Sequence, residues 1–106
     1  MASGTLGQSA PSAVTNTTVY TVPASKVATF SVNMVNRSQQ FPCTVRLAIC
    51  ASGTPGNSEF IEYETTIQPN EVLERTGLVA TAAKLVVVYV SLANVSVNVY
   101  GFEEAA

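Results

Sequence analysis

The sequence predicts an all-β fold: a single antiparallel β-sandwich of about seven strands, immunoglobulin-like or jelly-roll-like, with a flexible N-terminal arm. Three observations predict it. Apolar and polar residues alternate with a period of two along most of the chain, polar turn clusters separate the alternating runs, and no window carries an apolar stripe at helical spacing. A length of 106 residues is that of one domain. Short strands joined by polar turns are typical of sandwiches and barrels.

The N-terminal segment has no hydrophobic period. Residues 1–13 are rich in Ser, Gly and Ala, a composition typical of a flexible arm. We expect this arm either to be disordered or to become ordered on a neighbouring subunit, and we expect residues 14–106 to form the sandwich domain. The segment also lacks the basic start and apolar centre of a secretion signal, so the sequence predicts no export by the common secretory route.

Seven segments have strand character. In the second of them, Phe30 and Val32 alternate with Thr29 and Ser31, the pattern of a half-buried strand. The run at 85–90 is apolar on both faces, as in a covered strand. The predicted strands cover residues 16–22, 26–36, 43–51, 59–67, 71–77, 84–91 and 95–102.

Turn chemistry separates these strands. Residues 52–58 read Ser-Gly-Thr-Pro-Gly-Asn-Ser and predict a loop, and Gln-Pro-Asn at 68–70 predicts a tight turn. Leu-Ala-Asn at 92–94 is expected to turn the final hairpin. Tryptophan is absent, so the disulfide-and-Trp signature of antibody domains is missing. The immunoglobulin-like and jelly-roll-like arrangements both remain open.

The surface is predicted to be poor in charge. Charged residues make up 11% of the chain, whereas soluble domains carry about 25%. A surface of this kind favours permanent docking, so we expect other protein subunits as partners and a homo-oligomer. The net charge of −2 and the scattered basic residues argue against nucleic acid as a partner. The apolar stretch at 85–90 is too short to cross a bilayer, so no membrane partner is expected.

No catalytic constellation is present in the sequence. Histidine is absent, which excludes His-based triads, His-based zinc sites and most general-base chemistry near neutral pH. Glu62 and Glu64 share one face of a predicted strand, and we expect them to form ion pairs with Arg75 rather than a glycosidase pair. The sequence therefore predicts that the chain is not an enzyme and binds no metal or cofactor.

The two cysteines are predicted to be free. Cys43 and Cys50 lie on one predicted strand, and seven residues of strand separate them by about 23 Å, on opposite faces. A disulfide needs Cα atoms within about 7 Å of each other. We expect both to be buried as small hydrophobic residues in a reducing compartment.

The aromatic residues are spread over many predicted strands and are expected to act as core and interface anchors. Phe102, close to the C-terminus, is the strongest candidate for an exposed anchor. Tyr63 and Tyr100 complete the candidate interface. An alternative assigns Tyr63 and the 52–58 loop to carbohydrate binding.

Six segments carry a family resemblance. They are Val-Tyr-Thr-Val-Pro-Ala at 19–24, Phe-Ser-Val-Asn-Met-Val-Asn-Arg at 30–37, Val-Arg-Leu-Ala-Ile at 45–49, Glu-Phe-Ile-Glu-Tyr-Glu at 59–64, Leu-Glu-Arg-Thr-Gly at 73–77 and Val-Asn-Val-Tyr-Gly-Phe-Glu-Glu at 97–104. Over about residues 16–104 the chain resembles small virion proteins of tailed bacteriophages, notably those of cyanophages.

This resemblance implies a β-sandwich structural component of the capsid or tail, without enzyme activity, and it transfers no functional residue. The expected function is a capsid decoration or cement subunit that contacts the major capsid protein and stabilises the head. The alternative is a tail, baseplate or fibre-attachment subunit that contacts tail proteins. The expected location is the virion, assembled in the host cytoplasm.

Overall fold

The computed structural model describes residues 3–106, which fold into a sandwich of two four-stranded antiparallel sheets. The all-β sandwich predicted from the sequence is confirmed. Asn57–Glu59 forms one turn of 3₁₀ helix before the fifth strand. The strands are β1 (Ser3–Ser9), β2 (Thr17–Thr21), β3 (Lys26–Asn36), β4 (Cys43–Cys50), β5 (Phe60–Ile67), β6 (Val72–Ala80), β7 (Leu85–Val90) and β8 (Val95–Ala105).

The strand order identifies the sandwich as a jelly roll. Sheet A has the order β1-β8-β3-β6 and sheet B the order β2-β7-β4-β5. The first strand pairs with the last, the second with the seventh, the third with the sixth and the fourth with the fifth. This nested pairing of eight strands is the jelly-roll arrangement and excludes the immunoglobulin-like one.

The core lies between the sheets and is filled from the inward face of each strand. In β3 the burial alternates strictly, with Phe30, Val32 and Met34 inside, because successive side chains of a strand point to opposite faces. Leu47 and Val88 meet them from sheet B. Each such side chain contributes about 1.5–3 kcal/mol of transfer free energy on burial.

The N-terminus differs from the sequence-based expectation. The expected flexible arm is an edge strand, because β1 pairs antiparallel with β8 in the same chain and raises the number of strands to eight. Hydrophobic period could not reveal β1, since only Leu6 packs against the core and a register shift follows Thr5. Backbone hydrogen bonds hold the strand instead, and they leave no trace in side-chain alternation.

The edge strands of the two sheets meet on both sides of the sandwich, through different contacts. At Gly7 the β1 backbone approaches β2 so closely that a Cβ atom there would lie 2.3 Å from the carbonyl oxygen of Val19. On the other side, Arg75 of β6 forms an ion pair with Glu62 of β5, with 3.0 Å between Nη1 and Oε2. The sequence predicted this pair between adjacent strands; the contact is present, but β5 and β6 belong to opposite sheets, so the ion pair joins the edges of the two sheets.

Two strands extend beyond their predicted ends, and the reason is the length of β3. The predicted strands that correspond to β6 and β8 ended at residues 77 and 102, whereas β6 and β8 reach Ala80 and Ala105. Ala28 pairs with Ala80, and Lys26 pairs with Ala105. An eleven-residue central strand thus offers both neighbours a partner beyond their own apolar runs.

Asn36, at the end of β3, organises the loop that follows. Its side chain is fully buried and donates to the carbonyl oxygens of Phe41 and Ile67, each at 2.9 Å. Its Oδ1 accepts from the backbone N–H of Ser38 at 3.0 Å. A buried amide with these bonds fixes the connection from sheet A to sheet B.

Candidate functional site

The three predicted interface residues lie on two different surfaces. Tyr100 and Phe102 are on β8 and point outward from sheet A, whereas Tyr63 is on β5 and points outward from sheet B. All three are among the exposed large side chains. The structure therefore brings Tyr100 and Phe102 together and separates both from Tyr63.

The outward surface of sheet A, called here the A face, carries Val72, Val79, Tyr100 and Phe102, which are 54%, 57%, 39% and 39% exposed. Phe102 and Val79 are both paired with Thr29 of β3, so the three residues form one row across β8, β3 and β6. Strands spaced about 4.8 Å apart place the outer two about 10 Å from each other. The row is a short ridge in which two apolar side chains flank Thr29.

The remainder of the A face carries amides, hydroxyl groups and the exposed carboxylates of Glu74 and Glu104. Gln8 donates to the Asn98 side chain at 2.7 Å, and Asn98 is paired with Asn33 in the next strand. The Tyr100 hydroxyl donates to the Glu74 carboxylate, and this hydrogen bond is the main reason that the pKa of Tyr100 is raised. The one carboxylate in this row of the sheet is thus already engaged.

The outward surface of sheet B is built around Arg46. The register between β4 and β5 shifts so that Tyr63 and Glu64 together stand opposite Arg46, and Glu64 adopts a φ of 54°. A bulge of this kind aims two neighbouring side chains at one partner. Arg46 Nε lies 2.6 Å from Glu64 Oε2, and its guanidinium carbon lies 4.7 Å from the Tyr63 ring and 4.3 Å from the Tyr89 ring.

These four residues, called here the Arg46 cluster, contact one another on the outward surface of sheet B. Cation–π contact with two rings and an ion pair restrict the guanidinium from three sides. The hydrogen bond from Arg46 to Glu64 is the main reason that the pKa of Arg46 is raised. The expectation that Glu64 pairs with Arg75 is wrong, because the bulge turns Glu64 toward Arg46 while Glu62 takes Arg75.

An apolar cluster lies beside the Arg46 cluster on the same surface. Ala48, Cys50 and Val87 are buried there, and Phe60 and Leu85 pack against them. Burial is the first cause that raises the pKa of the Cys50 thiol. Cys50 therefore remains a thiol and packs as a hydrophobic residue.

Both cysteines are free, as the sequence predicted. Cys43 belongs to the central core and Cys50 to the outer cluster, so they lie on opposite faces of β4. An odd separation along one strand requires this outcome.

A recess of about 480 Å³ adjoins the Arg46 cluster and is lined by Asn57, Phe60 and Tyr63. We call it the Tyr63 recess. The Tyr63 ring is 59% exposed and meets the Phe60 ring edge-on, with centroids 4.9 Å apart. A second recess of about 370 Å³ lies at the end of sheet A, between residues 8–10 and 96–98, and has no aromatic wall. The Tyr63 recess is thus the one with an apolar platform.

Sequence reasoning missed Arg46 and Tyr89 as members of a site. One signal was present: Arg46 is the single charged residue in the largely apolar segment 43–50. Tyr89 could not be connected to it, because the pairing of β4 with β7 places Tyr89 opposite Arg46 only in the folded chain.

Residues 3–106 contain no group of three or more His, Cys, Asp or Glu side chains placed to hold a metal ion. Over the same residues, no helix has the length and apolar character needed to cross a membrane. No protein-family model matches the chain, and neither the curated proteins nor the solved structures give a significant match.

Proposed function

We propose that this chain is a structural protein of a tailed-bacteriophage virion, a decoration subunit that binds the major capsid protein and stabilises the head. The observation that carries the proposal is the A face, where Phe102 and Val79 form an exposed apolar ridge on a sheet whose polar groups are largely uncharged. Such a ridge loses water at little cost when another protein covers it.

The chemistry of the A face suits a protein partner. Aromatic side chains with a polar tip, such as Tyr100, are enriched where subunits meet, and Phe102 supplies a rigid apolar anchor. Two carboxylates lie on the face: Glu74 keeps a hydrogen bond from Tyr100 when the face is covered, and Glu104 stands near the end of β8, where the solvated rim of an interface would lie. The ridge would supply affinity, and the surrounding amides and hydroxyls would supply hydrogen bonds at the rim.

One further observation supports the virion assignment. Only 11% of the residues are charged, a composition better suited to a permanent assembly than to a free monomer. The proposal also follows the expectation drawn from the sequence motifs over about residues 16–104. The jelly roll is compatible with the proposal but does not carry it, because one fold hosts many functions.

The proposed mechanism uses the sheet face rather than the N-terminal arm. β1 is paired with β8 in its own chain, and at Gly7 it lies against β2. One side of its backbone is therefore already paired, and the strand is held against its own sandwich rather than free to cross to a neighbouring subunit. Docking is proposed to rest on the side chains of β8, β3 and β6.

The test is binding to purified capsids that lack the protein. Phe102→Ser is expected to weaken binding by at least about tenfold, because a central apolar anchor is lost. Phe41→Ser is the matched control, since Phe41 is 58% exposed but lies outside both sheets. Equal binding by the two variants, or no binding of the wild-type chain, would overturn the proposal.

The tail alternative is separated by copy number in purified particles. The copy number of a decoration subunit is set by the symmetry of the whole head. The copy number of a tail or baseplate subunit is set by the symmetry of one appendage and is far lower. Quantitative mass spectrometry against the major capsid protein distinguishes the two. Absence of the chain from particles would remove the virion proposal in both forms.

A further inference from the structure

We propose that the Tyr63 recess binds a neutral hexose unit of a glycan. The recess lies on the outward surface of sheet B, on the opposite side of the sandwich from the A face. The proposal therefore does not depend on what covers sheet A. The volume of the recess, about 480 Å³, falls within the range of roughly 300–1,000 Å³ typical of small-ligand clefts.

The loop that forms one wall of the recess is already fixed. The Glu59 carboxylate accepts from the backbone N–H of Gly56 at 2.7 Å and from that of Ala51 at 3.1 Å. The bond from Gly56 is the largest cause that lowers the pKa of Glu59, and the bond from Ala51 acts in the same direction. The Glu59 carboxylate is therefore ionised at neutral pH and holds both backbone N–H groups. Asn57 follows directly on Gly56. A wall that is ordered before binding removes an entropic cost from association.

The aromatic platform is fixed as well. Arg46 lies over the Tyr63 ring at 4.7 Å, and Phe60 meets it edge-on, while more than half of Tyr63 remains open to solvent. The bulge that aims Tyr63 at Arg46 also places Glu64 at a φ of 54°. Backbone strain of this kind is retained where the surrounding structure holds it, and it clusters at binding sites.

The chemistry around the recess selects a neutral polyhydroxylated ligand. Tyr63 and Phe60 offer rings for the C–H face of a sugar, while the Asn57 amide offers a donor and an acceptor for its hydroxyl groups. Two of the ionised groups nearby are already engaged, Glu64 with Arg46 and Glu59 with two backbone N–H groups. Lys84 also acts on the Glu59 carboxylate from nearby, and the charged probe in the titration below tests whether its ammonium group recruits an anionic sugar.

The test is a titration of the ¹⁵N-labelled full chain with D-glucose, D-galactose, D-mannose and N-acetyl-D-glucosamine, and separately with N-acetylneuraminic acid as a charged probe. At least one neutral sugar is expected to give saturable shifts at the amides of Asn57, Phe60 and Tyr63. Tyr63→Ala is expected to weaken that binding by at least about tenfold. Tyr100→Ala, an exposed tyrosine on the A face, is the matched control and should bind as the wild type does.

Three results of the sugar titration would overturn the proposal. They are the absence of saturable shifts with all four neutral sugars, a response to N-acetylneuraminic acid alone, and equal affinity in Tyr63→Ala and the wild type. Loss of capsid binding in Tyr63→Ala without any sugar response would identify the recess as a protein contact and would also overturn it. The spectrum of each variant reports directly whether it is folded, so a misfolded variant is recognised.

Discussion

Tyr20 and Glu103 form a buried polar contact between the two sheets. Tyr20 is on β2 of sheet B and Glu103 on β8 of sheet A, and they are 8% and 7% exposed. The Tyr20 hydroxyl donates to the Glu103 carboxylate, and the Tyr20 ring meets Phe30 edge-on at 6.3 Å. Removing the hydroxyl would leave a buried carboxylate without this donor, at a cost of about 1–3 kcal/mol.

This contact gives the protein a pH dependence on the alkaline side. Burial first, and then the hydrogen bond and negative charge of Glu103, raise the pKa of Tyr20 above its ordinary value of 10.0. A raised pKa in the folded state means that the stabilisation is complete below the unfolded pKa and is lost as pH rises through the folded one. At a pH between the unfolded and the folded pKa of Tyr20, the unfolded chain has released the Tyr20 proton while the folded chain keeps it.

We therefore predict that the free energy of unfolding falls as pH rises above about 10, and that Tyr20→Phe flattens this slope. Urea denaturation at a series of pH values measures it. Tyr63→Phe, which removes an exposed hydroxyl, is the control and should keep the wild-type slope. If the free energy of unfolding fell equally steeply above pH 10 in Tyr20→Phe and in the wild type, Tyr20 would not be the cause of the pH dependence.

At the scale of elements, register shifts shape both the candidate site and the closure of the sandwich. The shift in β5 gathers Tyr63 and Glu64 around Arg46, and the shift in β1 follows Thr5, just before Gly7 reaches β2. Each shift lets a strand keep its pairing while changing what its side chains face. The site is thus a product of strand geometry rather than of a loop sequence.

The close approach at Gly7 makes a prediction for β1. In Gly7→Ala the new methyl group would lie 2.3 Å from the Val19 carbonyl oxygen, so β1 or β2 must shift. We expect a loss of about 1–3 kcal/mol in the free energy of unfolding, the usual cost of overpacking. Amide hydrogen exchange should accelerate in β1 more than in β3.

Gly53→Ala is the matched control for this experiment, because a Cβ atom at Gly53 meets no atom within 4 Å. It should change neither the stability nor the exchange of β1. Unchanged exchange of β1 in Gly7→Ala would show that the strand does not depend on this contact.

At the scale of the whole molecule, the sandwich has two outward surfaces of different chemistry. The A face carries an apolar ridge, whereas the surface of sheet B has a cation–π cluster and a recess. A sandwich that docks through one sheet turns the other away from its partner. The two proposals of docking and of sugar binding are therefore geometrically compatible and can fail independently.

The charge distribution predicts how docking responds to salt. Because few ionised groups lie on the A face, capsid binding should change less than about threefold between ionic strengths of about 0.1 M and 1 M, where the screening length falls from about 10 Å to 3 Å. Binding isotherms at the two ionic strengths measure this. A loss of affinity of many tens of fold on adding salt would indicate an electrostatic interface instead.

The sequence by itself determined which segments alternate and which side chains enter the core. Seven of the strands in residues 3–106 follow from alternating or continuous apolar runs bounded by turn residues, and the free cysteines on opposite faces of β4 follow from an odd separation. These features depend on residues close together in the chain, so local pattern is enough to predict them.

Tertiary structure alone decided which strands are neighbours, and with them the jelly roll, the edge strand β1 and the Arg46 cluster. β1 is paired by its backbone with a strand at the other end of the chain, and Arg46 meets Tyr63 and Tyr89 through a bulge and a non-local pairing. Backbone donors and acceptors are the same in nearly every residue. Side-chain periodicity therefore indicates that a strand exists and which of its faces is buried. The strand with which it pairs is determined by the packing of the whole chain.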